Sequence, residues 1–368
     1  MKQFLIVGEP GDLHANYVSW ALGRAGYRTT FINSSHDNCP TKTTLYLDNG
    51  HEEFASTDWD AAEAAWCRRL PRPPGPDKSF GEDDGFTLVE ERRFTRWLIT
   101  MHENGPIRWI NSPTAALGAE NKFLQLKRAR SHGIRVPRTL ITAQPDRFRA
   151  FLKSEGTIVA KPLCGFSWEY ASGETLTAFA NIVDAQRGAQ LSDEDIAQCV
   201  TIYQERIDKA ADVRMLIMGQ DILAYKILQE GEQHLDFRIG FFQENHLKYE
   251  PIPVPASLTA KITSCVASMG VNFASADFAL TTEGEFVFLD LNPNGQWLFI
   301  DTGCPEASVG QKFCSFFVRS RLDAGTEDLF PSFAEYLESD EVKSLEEAFR
   351  QHTASLVRPT NSWKERQG

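Results

Sequence analysis

The residues of this sequence that are best placed for chemistry are three oxygen-bearing side chains near the ends of one predicted β-hairpin. The segment 276–291 has the pattern of two strands that turn at 281–285. If the tip of the turn lies near Glu283, the numbers of paired residues sum to about 567, so Asp277 lies opposite Asp290. Directly opposed residues share a face, with their Cβ atoms about 5 Å apart. Asn292 follows two residues later, on the same face. Such oxygen ligands favour Mg²⁺ or Mn²⁺ over zinc; the alternative is a pair of strand-end acids that face solvent.

Two lysines stand where they could supply positive charge to an anionic ligand. Lys161 ends an apolar strand predicted at 157–161 and precedes Pro162, so its side chain projects from a strand end. Lys122 lies within a single helix predicted at 112–131. From its position alone, Lys122 would be interpreted as a solvated surface lysine.

A hinge-like segment, Gln204-Glu205-Arg206-Ile207, follows a strand predicted at 201–204. Backbone N–H and C=O groups that leave a strand ladder need other partners. The backbone of this segment could therefore bind a purine edge, with Glu205 accepting a hydrogen bond from it.

The pattern Asp-x-Arg occurs twice, as Asp212 with Arg214 and as Asp236 with Arg238. We place the two pairs on neighbouring strands, the second strand being 235–239. One interpretation of each pair is a surface ion pair, which contributes about 0–1 kcal/mol. The other is recognition of phosphate oxygens, because the planar guanidinium fork binds two oxygens at once.

The sequence contains no motif of nucleophilic catalysis. Neither G-x-S-x-G nor H-E-x-x-H occurs, and a Walker A motif is absent. The turn at 8–11 has G-x-x-G rather than the dinucleotide-binding G-x-G-x-x-G, which favours a structural turn. Any ATP site must therefore be of another type.

Several longer segments follow one another in the order of the ATP-grasp ligases: NKFLQLKRARSHGIRVP, TIVAKPL, YQERI, DVRMLIMG, ADFAL and FVFLDLNPNGQW. More narrowly, AAWCRRLPRP, WINSPTAALGAENKFLQLK, LDFRIG and LNPNGQW resemble the graspetide (microviridin-type) ATP-grasp peptide ligases. The resemblance covers roughly residues 1–320. It implies a parallel pre-ATP-grasp α/β domain, a lid domain and a C-terminal antiparallel domain, with ATP held between two antiparallel sheets.

The resemblance also implies roles for individual residues. The implied nucleotide-binding residues are Lys122, Lys161, Gln204, Glu205, Ile207 and Asp212. The implied ligands of Mg²⁺, or of Mn²⁺ in its place, are Asp277, Asp290 and Asn292. The implied catalytic residues, which would stabilise the γ-phosphate and the acyl phosphate, are Arg214, Arg238 and the partner acid Asp236. The family commonly has glutamate where this chain has the shorter Asp290.

The reaction that the resemblance implies uses ATP to activate Asp or Glu carboxylates of a ribosomally made precursor peptide, which consists of a leader and a core. A hydroxyl or amine then forms an ester or amide crosslink, and this chemistry needs no enzyme nucleophile. One alternative is a ligase of free amino acids or small carboxylic acids. An alternative of another class is a non-catalytic nucleotide-binding partner of another ligase. We also expect a homodimer.

Composition limits the remaining possibilities. The chain has 368 residues, 42% of them hydrophobic, which is enough for several buried cores. A formal net charge of −12 argues against a nucleic-acid-binding protein, because phosphate contacts need clustered Lys and Arg. No apolar run approaches the ~20 residues that span a bilayer, so we expect no membrane partner. Seven scattered cysteines without a C-x-x-C pair predict reduced thiols in the cytoplasm.

The elements that must position these residues belong to the α/β (α+β) class. The chain begins with a strand at 4–7, a helix at 13–26 and a strand at 28–32, which predicts a parallel sheet. Hairpin-like strands follow from about residue 200. The predicted domains are residues 1–115, 116–200 and 201–325, with an acidic helical tail at 326–368.

Overall fold

The computed structural model describes residues 2–9, 11–33, 44–48, 51–55, 61–69, 90, 93–94, 96–97, 99–163, 167–169, 175–231, 234–241, 247–322 and 325–343. Two of the seven cysteines, Cys39 and Cys164, and the end of the predicted tail after residue 343 lie outside these ranges. Among the helices within them, none is both long enough and apolar enough to cross a bilayer.

The amino-terminal part of the chain forms a parallel sheet with a small hairpin beside it. The strands are β1 (Gln3–Gly8), β2 (Arg28–Asn33), β3 (Thr44–Asp48), β4 (His51–Ala55), β5 (Ala62–Cys67) and β6 (Arg108–Ile110). The sheet has the order β2-β1-β5-β6 with all pairs parallel, as predicted from the strand–helix–strand start. Helix α1 (Leu13–Arg24) connects β1 to β2 and covers one face, where Phe4 and Ile6 are buried.

The segment 112–131 forms two helices, so the prediction of a single helix is wrong. The helices are α2 (Pro113–Ala119) and α3 (Lys122–Ser131). The break occurs because Asn121 has extended backbone and caps the second helix, its side chain accepting from Leu124 N at 3.0 Å. Lys122 is therefore the first residue of a helix rather than a mid-helix residue.

A second sheet, which is antiparallel, contains Lys161. The strands of this region are β7 (Thr139–Thr142), β8 (Thr157–Lys161), β9 (Ser167–Glu169), β10 (Thr175–Thr177), β11 (Asn181–Asp184) and β12 (Thr201–Glu205). The order is β11-β8-β12-β7, and β9 and β10 pair separately. The helices beside it are α4 (Pro145–Glu155), α5 (Ala185–Gln190) and α6 (Asp193–Ala197). Phe148 of α4 packs on Tyr203 of β12 with ring centroids 4.8 Å apart.

The third sheet has five antiparallel strands and contains the hairpin with the two aspartates. The strands are β13 (Lys209–Met218), β14 (Asp221–Gln229), β15 (Leu247–Pro251), β16 (Phe273–Thr281) and β17 (Phe286–Asn292), in the order β15-β14-β13-β16-β17. The helices after β15 are α7 (Ala256–Ser268), α8 (Leu298–Gly303), α9 (Val309–Arg319) and α10 (Phe333–Glu338).

Side chains of β13 alternate between two cores, which fixes the position of the third sheet. Met215 and Ile217 enter a core with α3 and α7, whereas Leu216 and Met218 enter a core with α1 and α9. Phe317 of α9 contacts the ring of Phe4 in the parallel sheet with centroids 5.3 Å apart. The parallel and five-stranded sheets therefore share one core.

The prediction of a strand at 235–239 is wrong, because Phe237–Phe241 is a 3₁₀ helix. The side chain of Asp236 accepts from the backbone N–H of Arg238 at 3.1 Å, and Ile239 N donates to Asp236 O at 3.1 Å. These local bonds replace those of a strand ladder. Asp236 and Arg238 therefore lie beside the five-stranded sheet and not on one of its strands.

The first part of the predicted tail packs on α1. Phe333 and Tyr336 of α10 contact the Tyr17 ring with centroids 5.5 and 5.7 Å away, and Tyr17 donates to Pro331 O at 3.0 Å. Residues 325–343 are thus joined to the amino-terminal core. The domain boundaries given above stay predictions.

Candidate active site

Three charged residues lie side by side on the five-stranded sheet. Arg214 of β13 pairs with Asp277 of β16, which pairs in turn with Asp290 of β17. The predicted opposition of the two aspartates is therefore confirmed. Arg214 Nε is 3.1 Å from Asp277 Oδ1, within ion-pair distance but outside hydrogen-bond geometry.

A β-bulge beside the aspartates brings a lysine from the neighbouring sheet to the hairpin. Asp277 pairs with Asp290 but the next residue, Phe278, pairs with Phe288, so Leu289 is the extra residue. The carbonyl of Leu289 accepts a hydrogen bond from Lys161 Nζ at 3.3 Å. The bulge thus supplies a backbone acceptor to the end of β8.

Two lysines from different elements compensate the charge of Asp290. Lys122, at the start of α3, forms an ion pair with Asp290. Although burial opposes ionisation, Lys122 and Lys161 together hold the pKa of Asp290 below its usual value. Burial lowers the pKa of Lys161 to about 8. The Asp290 carboxylate opposes this decrease, and the Lys122 charge adds to it. Both lysines thus stand in one charged cluster, and the interpretation of Lys122 as a solvated surface residue is wrong.

Asp277 has spare capacity to bind a cation. Burial raises its pKa, the Arg214 charge opposes this rise and the Asp290 carboxylate adds to it. The buried Oδ1 of Asp277 has no hydrogen-bond partner. A buried acceptor without a partner is costly unless a ligand or ion completes it, so these carboxylates fit a divalent cation.

Asn292 extends this set of oxygen ligands. It ends β17 two residues beyond Asp290, pairs with Ser275 and is exposed. Its Oδ1 accepts from Asn294 N at 2.9 Å, which fixes the orientation of the side chain. Across the described ranges no three His, Cys, Asp or Glu side chains form a metal-binding group, so a cation here would depend on the two aspartates and this amide oxygen.

Arg238 and Asp236 form a bidentate pair at the edge of the same site. Arg238 Nε and Nη2 donate to the two carboxylate oxygens of Asp236 at 2.8 and 2.5 Å. The hydrogen bond to Asp236 raises the pKa of Arg238. Asp236 is buried whereas the Arg238 side chain is half exposed, so Asp236 orients a guanidinium whose other edge faces the cleft.

Asp212 has a different partner from the one that the Asp-x-Arg pattern suggests. Lys209 Nζ donates to both carboxylate oxygens of Asp212, at 2.6 and 2.7 Å, and to Leu235 O at 2.8 Å. Burial raises the pKa of Asp212 to about 6, despite the opposing charge of Lys209. Sequence reasoning missed Lys209 because residues three apart on a regular strand face opposite sides. A bulge between Lys209 and Ala211 brings the two side chains together.

The hinge segment lies where the two antiparallel sheets approach each other. Gln204 Nε2 donates to Thr139 Oγ1 at 3.0 Å. The Glu205 carboxylate accepts from Arg138 Nε at 2.7 Å, and its backbone N–H donates to Arg138 O at 2.9 Å. These bonds hold the hinge in place but engage the carboxylate and the backbone N–H of Glu205. Recognition of a purine by this segment stays a prediction.

One cleft between the antiparallel sheets contains ten of the twelve predicted site residues. They are Lys122, Lys161, Gln204, Glu205, Ile207, Asp212, Asp236, Arg238, Asp277 and Asp290. Of the other two, Arg214 is buried behind Asp277 and Asn292 lies at the exposed end of β17. Lys209 also lines the cleft. The arrangement suits a polyanion and a divalent cation, because cations from three elements converge on two carboxylates.

The loop that follows Asn292 is held by the amino-terminal sheet. The backbone N–H groups of Trp297 and Leu298 donate to His14 Nε2 at 2.9 and 3.2 Å. Arg68, which is 1% exposed, donates to Asn294 O from one side of its guanidinium. We call His14, Asp12 and Arg68 the loop clip.

Asp12 joins the loop clip together. It caps α1 by accepting from His14 N and Ala15 N, and its carboxylate accepts from Arg68 Nε at 3.1 and 3.0 Å. Burial and the Arg68 charge lower the pKa of His14 to about 3, so His14 is neutral and its Nε2 is an acceptor. Sequence reasoning missed this cluster; its only local signal is an N-cap aspartate followed by histidine.

A glycine allows the same loop to approach the sheet. A Cβ added to Gly295 would lie 2.4 Å from Ser275 Cβ and 2.4 Å from its Oγ. No side chain fits at this distance from a buried strand. The loop therefore needs glycine at 295 to lie against β16 next to Asn292.

Comparison with known proteins identifies the fold. No family model matches the chain, and no curated protein matches it either. The crystal structure of macrocyclase MdnC bound with precursor peptide MdnA, from Microcystis aeruginosa, has a TM-score of 0.69 and 21% identity over 86% of this chain and 99% of that chain. A RiPP-associated ATP-grasp ligase from Chryseobacterium gregarium, in complex with ADP and a leader and core peptide, has a TM-score of 0.72 and 20% identity over 87% and 98%.

A third structure, macrocyclase MdnB from Microcystis aeruginosa, has a TM-score of 0.66 and 23% identity over 87% of this chain and 100% of that chain. The similarity covers each of these proteins almost completely. The chain therefore has the mixed α/β fold of these two macrocyclases and this ATP-grasp ligase, and the predicted fold class is confirmed.

Proposed function

We propose that this protein is an ATP-dependent ligase that crosslinks a ribosomally made precursor peptide through its Asp or Glu side chains. The observation that carries the proposal is the row of Arg214, Asp277 and Asp290, whose two aspartates line a cleft together with Lys122 and Lys161. The fold adds support, because MdnC and the Chryseobacterium ligase are both complexes with a precursor or leader and core peptide.

Asp277, Asp290 and Asn292 would hold Mg²⁺, or Mn²⁺ in its place, which when bound offsets negative charge on transferring phosphoryl groups. Lys122 and Lys161 would bind the ATP phosphates, and the hinge of Gln204, Glu205 and Ile207 with Asp212 would line the nucleotide site. These roles are supported by the positions of the residues, all of which except Asn292 line the cleft.

The protein's own contribution to the reaction is positioning and positive charge. An oxygen of the substrate carboxylate attacks the γ-phosphorus, the bond to the bridging oxygen breaks, and ADP leaves with that electron pair. Arg238, oriented by Asp236, and Arg214, oriented by Asp277, would stabilise the charge that spreads over the phosphoryl oxygens. These donors are held before reaction by partners on the enzyme.

In the second step a hydroxyl or amine of the peptide attacks the acyl carbon and inorganic phosphate leaves. The proton of the nucleophile passes to phosphate or solvent, so the net change in the peptide is the loss of one water per crosslink. No enzyme side chain forms a covalent bond, in agreement with the lack of a nucleophilic motif.

The test is incubation of the protein with ATP, Mg²⁺ and the precursor peptide encoded beside its gene, followed by mass spectrometry and measurement of ADP. We expect one or more losses of water from the peptide with matching ADP release. Replacing Mg²⁺ by Mn²⁺ should preserve activity, and chelation should abolish it. ADP release with amino-acid mixtures alone, and an unchanged peptide mass, would instead identify a ligase of free acids.

ATP binding without ADP production under any of these conditions would identify a non-catalytic nucleotide-binding protein. We further propose that the protein is a homodimer in the cytoplasm. Light scattering after size-exclusion chromatography should give twice the chain mass, and a single chain mass would contradict the dimer.

A further inference from the structure

We propose that a second cavity, formed by α1, α8 and the turn after β5, binds a segment of the precursor peptide and that Arg69 holds an acidic side chain of this segment. The proposal rests on the function proposed above and adds a substrate-binding residue outside the ATP cleft. We call this space the Arg69 cavity.

The Arg69 cavity has the size and lining of a ligand site. Its volume is about 550 Å³, within the range of about 300–1,000 Å³ that is usual for ligand pockets. Its apolar walls include Leu298, Phe299 and Phe333, and the exposed Leu13 and Leu337 stand at its edge. A short peptide segment can bury aliphatic atoms against these walls while its polar groups meet charged ones.

The cavity is separated from the candidate metal ligands by two side chains. Phe299 lines it, and the Phe299 ring centroid is 5.5 Å from Arg214 Cζ. Arg214 in turn lies against Asp277. The cavity also opens beside Gln296, in the loop that begins at Asn292. A peptide segment bound in the cavity therefore lies beyond Phe299 and Arg214 from the candidate metal ligands, so the acid that Arg69 holds is not the carboxylate that is phosphorylated.

The charges in the cavity leave Arg69 available for an anion. Among the described residues its nearest acid is Asp12, with Arg69 Nε 3.8 Å from Asp12 Oδ2, beyond hydrogen-bond distance. Asp12 is already compensated by Arg68 Nε, 3.0 Å from the same oxygen. The Arg69 side chain is 30% exposed, and neutral His14 adds no competing charge. A guanidinium in this state suits a carboxylate, which it can bind through two hydrogen bonds.

A second acid of the cavity can bind a polar group of the same peptide segment. Glu9 lines the cavity, and among the described residues no ion pair joins it to Arg69. It can accept a hydrogen bond from a hydroxyl or amine. A peptide segment with one acid and one hydroxyl or amine would therefore find a partner for each.

The experiment is a double-mutant cycle on binding. Two fluorescein-labelled peptides are used: the synthetic core peptide of the precursor (the acidic peptide) and the same peptide with every Asp and Glu changed to Asn and Gln (the amide peptide). Each is titrated with wild type and with Arg69→Gln in the presence of ADP and Mg²⁺. We expect Arg69→Gln to weaken binding of the acidic peptide about tenfold and to leave binding of the amide peptide unchanged. Arg28 is an exposed arginine at the opposite edge of the parallel sheet. The control variant Arg28→Gln should bind both peptides with the affinity of wild type.

Two outcomes overturn the proposal: an unchanged affinity of Arg69→Gln for the acidic peptide, or an equal loss for both peptides. The result is independent of turnover. Failure of the wild type to remove water from the precursor would count against the proposed function, while the cycle would still report whether Arg69 recognises carboxylates. Crosslinking by wild type with an unchanged KM for the precursor in Arg69→Gln would reject the cavity alone.

Discussion

The hydrogen bonds of the loop clip lead us to expect that the free energy of unfolding falls on mild acidification, because His14 binds a proton more readily in the unfolded chain. His14 is 7% exposed and accepts two backbone hydrogen bonds through Nε2, which a proton would abolish. Its pKa is about 3 in the folded protein against 6.5 for the free side chain. The pKa of His14 is lower in the folded protein than in the unfolded chain. The contribution of His14 to the free energy of unfolding is therefore fully present above pH 6.5 and is lost as pH falls towards 3.

The magnitude follows from the difference in proton uptake. One pKa unit corresponds to about 1.4 kcal/mol, and between pH 7 and pH 5 the unfolded chain takes up most of one proton that the folded protein excludes. The free energy of unfolding should therefore fall by roughly 2 kcal/mol over this interval from His14 alone. Other groups titrate too, so the measurement must isolate this histidine.

The assay compares wild type with His14→Gln by urea unfolding, followed by tryptophan fluorescence at pH 7 and pH 5. The Gln carbonyl can accept from the loop but does not titrate. Wild type should be the more stable protein at pH 7, because the His14 ring packs edge-on against Trp297 with centroids 4.8 Å apart. This advantage should shrink by roughly 2 kcal/mol at pH 5. An advantage that is the same at both pH values, or an imidazole that titrates near pH 6.5 by NMR, would refute the reasoning.

The remaining predictions concern the cleft. Because burial lowers the pKa of Lys161 to about 8, kcat/KM for ATP should decline as pH rises above 8, and Lys161→Arg should remove the decline; a pH profile shared by both proteins would contradict this assignment. Lys161→Ala should abolish product with an unchanged circular dichroism spectrum, and normal turnover would mean that the site is misplaced. Asn292→Ala should lower the rate about 100-fold or more and raise the Mg²⁺ concentration needed for half-maximal activity, which a role in folding alone would not do. Asp290→Ala should abolish ADP production whereas Asp290→Glu retains it, measured by coupled assay; ADP production by Asp290→Ala at the rate of wild type would exclude a ligand role.

The β16–β17 hairpin shows which features of the site a local sequence pattern can predict. Its alternating residues and its turn predicted the pairing of Asp277 with Asp290, because register in a short hairpin depends on neighbouring residues. The bulge at Leu289 was not predicted, because the prediction assumed one regular register along the whole hairpin. Its consequence, a carbonyl available to Lys161, could be seen only in the folded chain.

The errors have a common physical origin. The Ser112–Ser131 segment looked like one helix because its start and stop signals lie at its two ends, yet Asn121 caps a second helix inside it. The segment 235–239 looked like a strand because apolar and charged residues alternate in it, yet Asp236 folds back on its own backbone. In both cases a polar side chain satisfies nearby N–H groups, and these local hydrogen bonds override the predicted element.

Sequence alone decided which chemical groups the site contains and which of them face each other across the hairpin, because strand periodicity and hairpin register are local properties. Tertiary structure decided which cations reach those carboxylates, how Lys209 replaces Arg214 as the partner of Asp212, and what holds the loop after Asn292. The bond from Trp297 to His14 joins residues 283 positions apart. Such contacts depend on how two sheets pack around a shared core, and no local pattern in the chain specifies that packing.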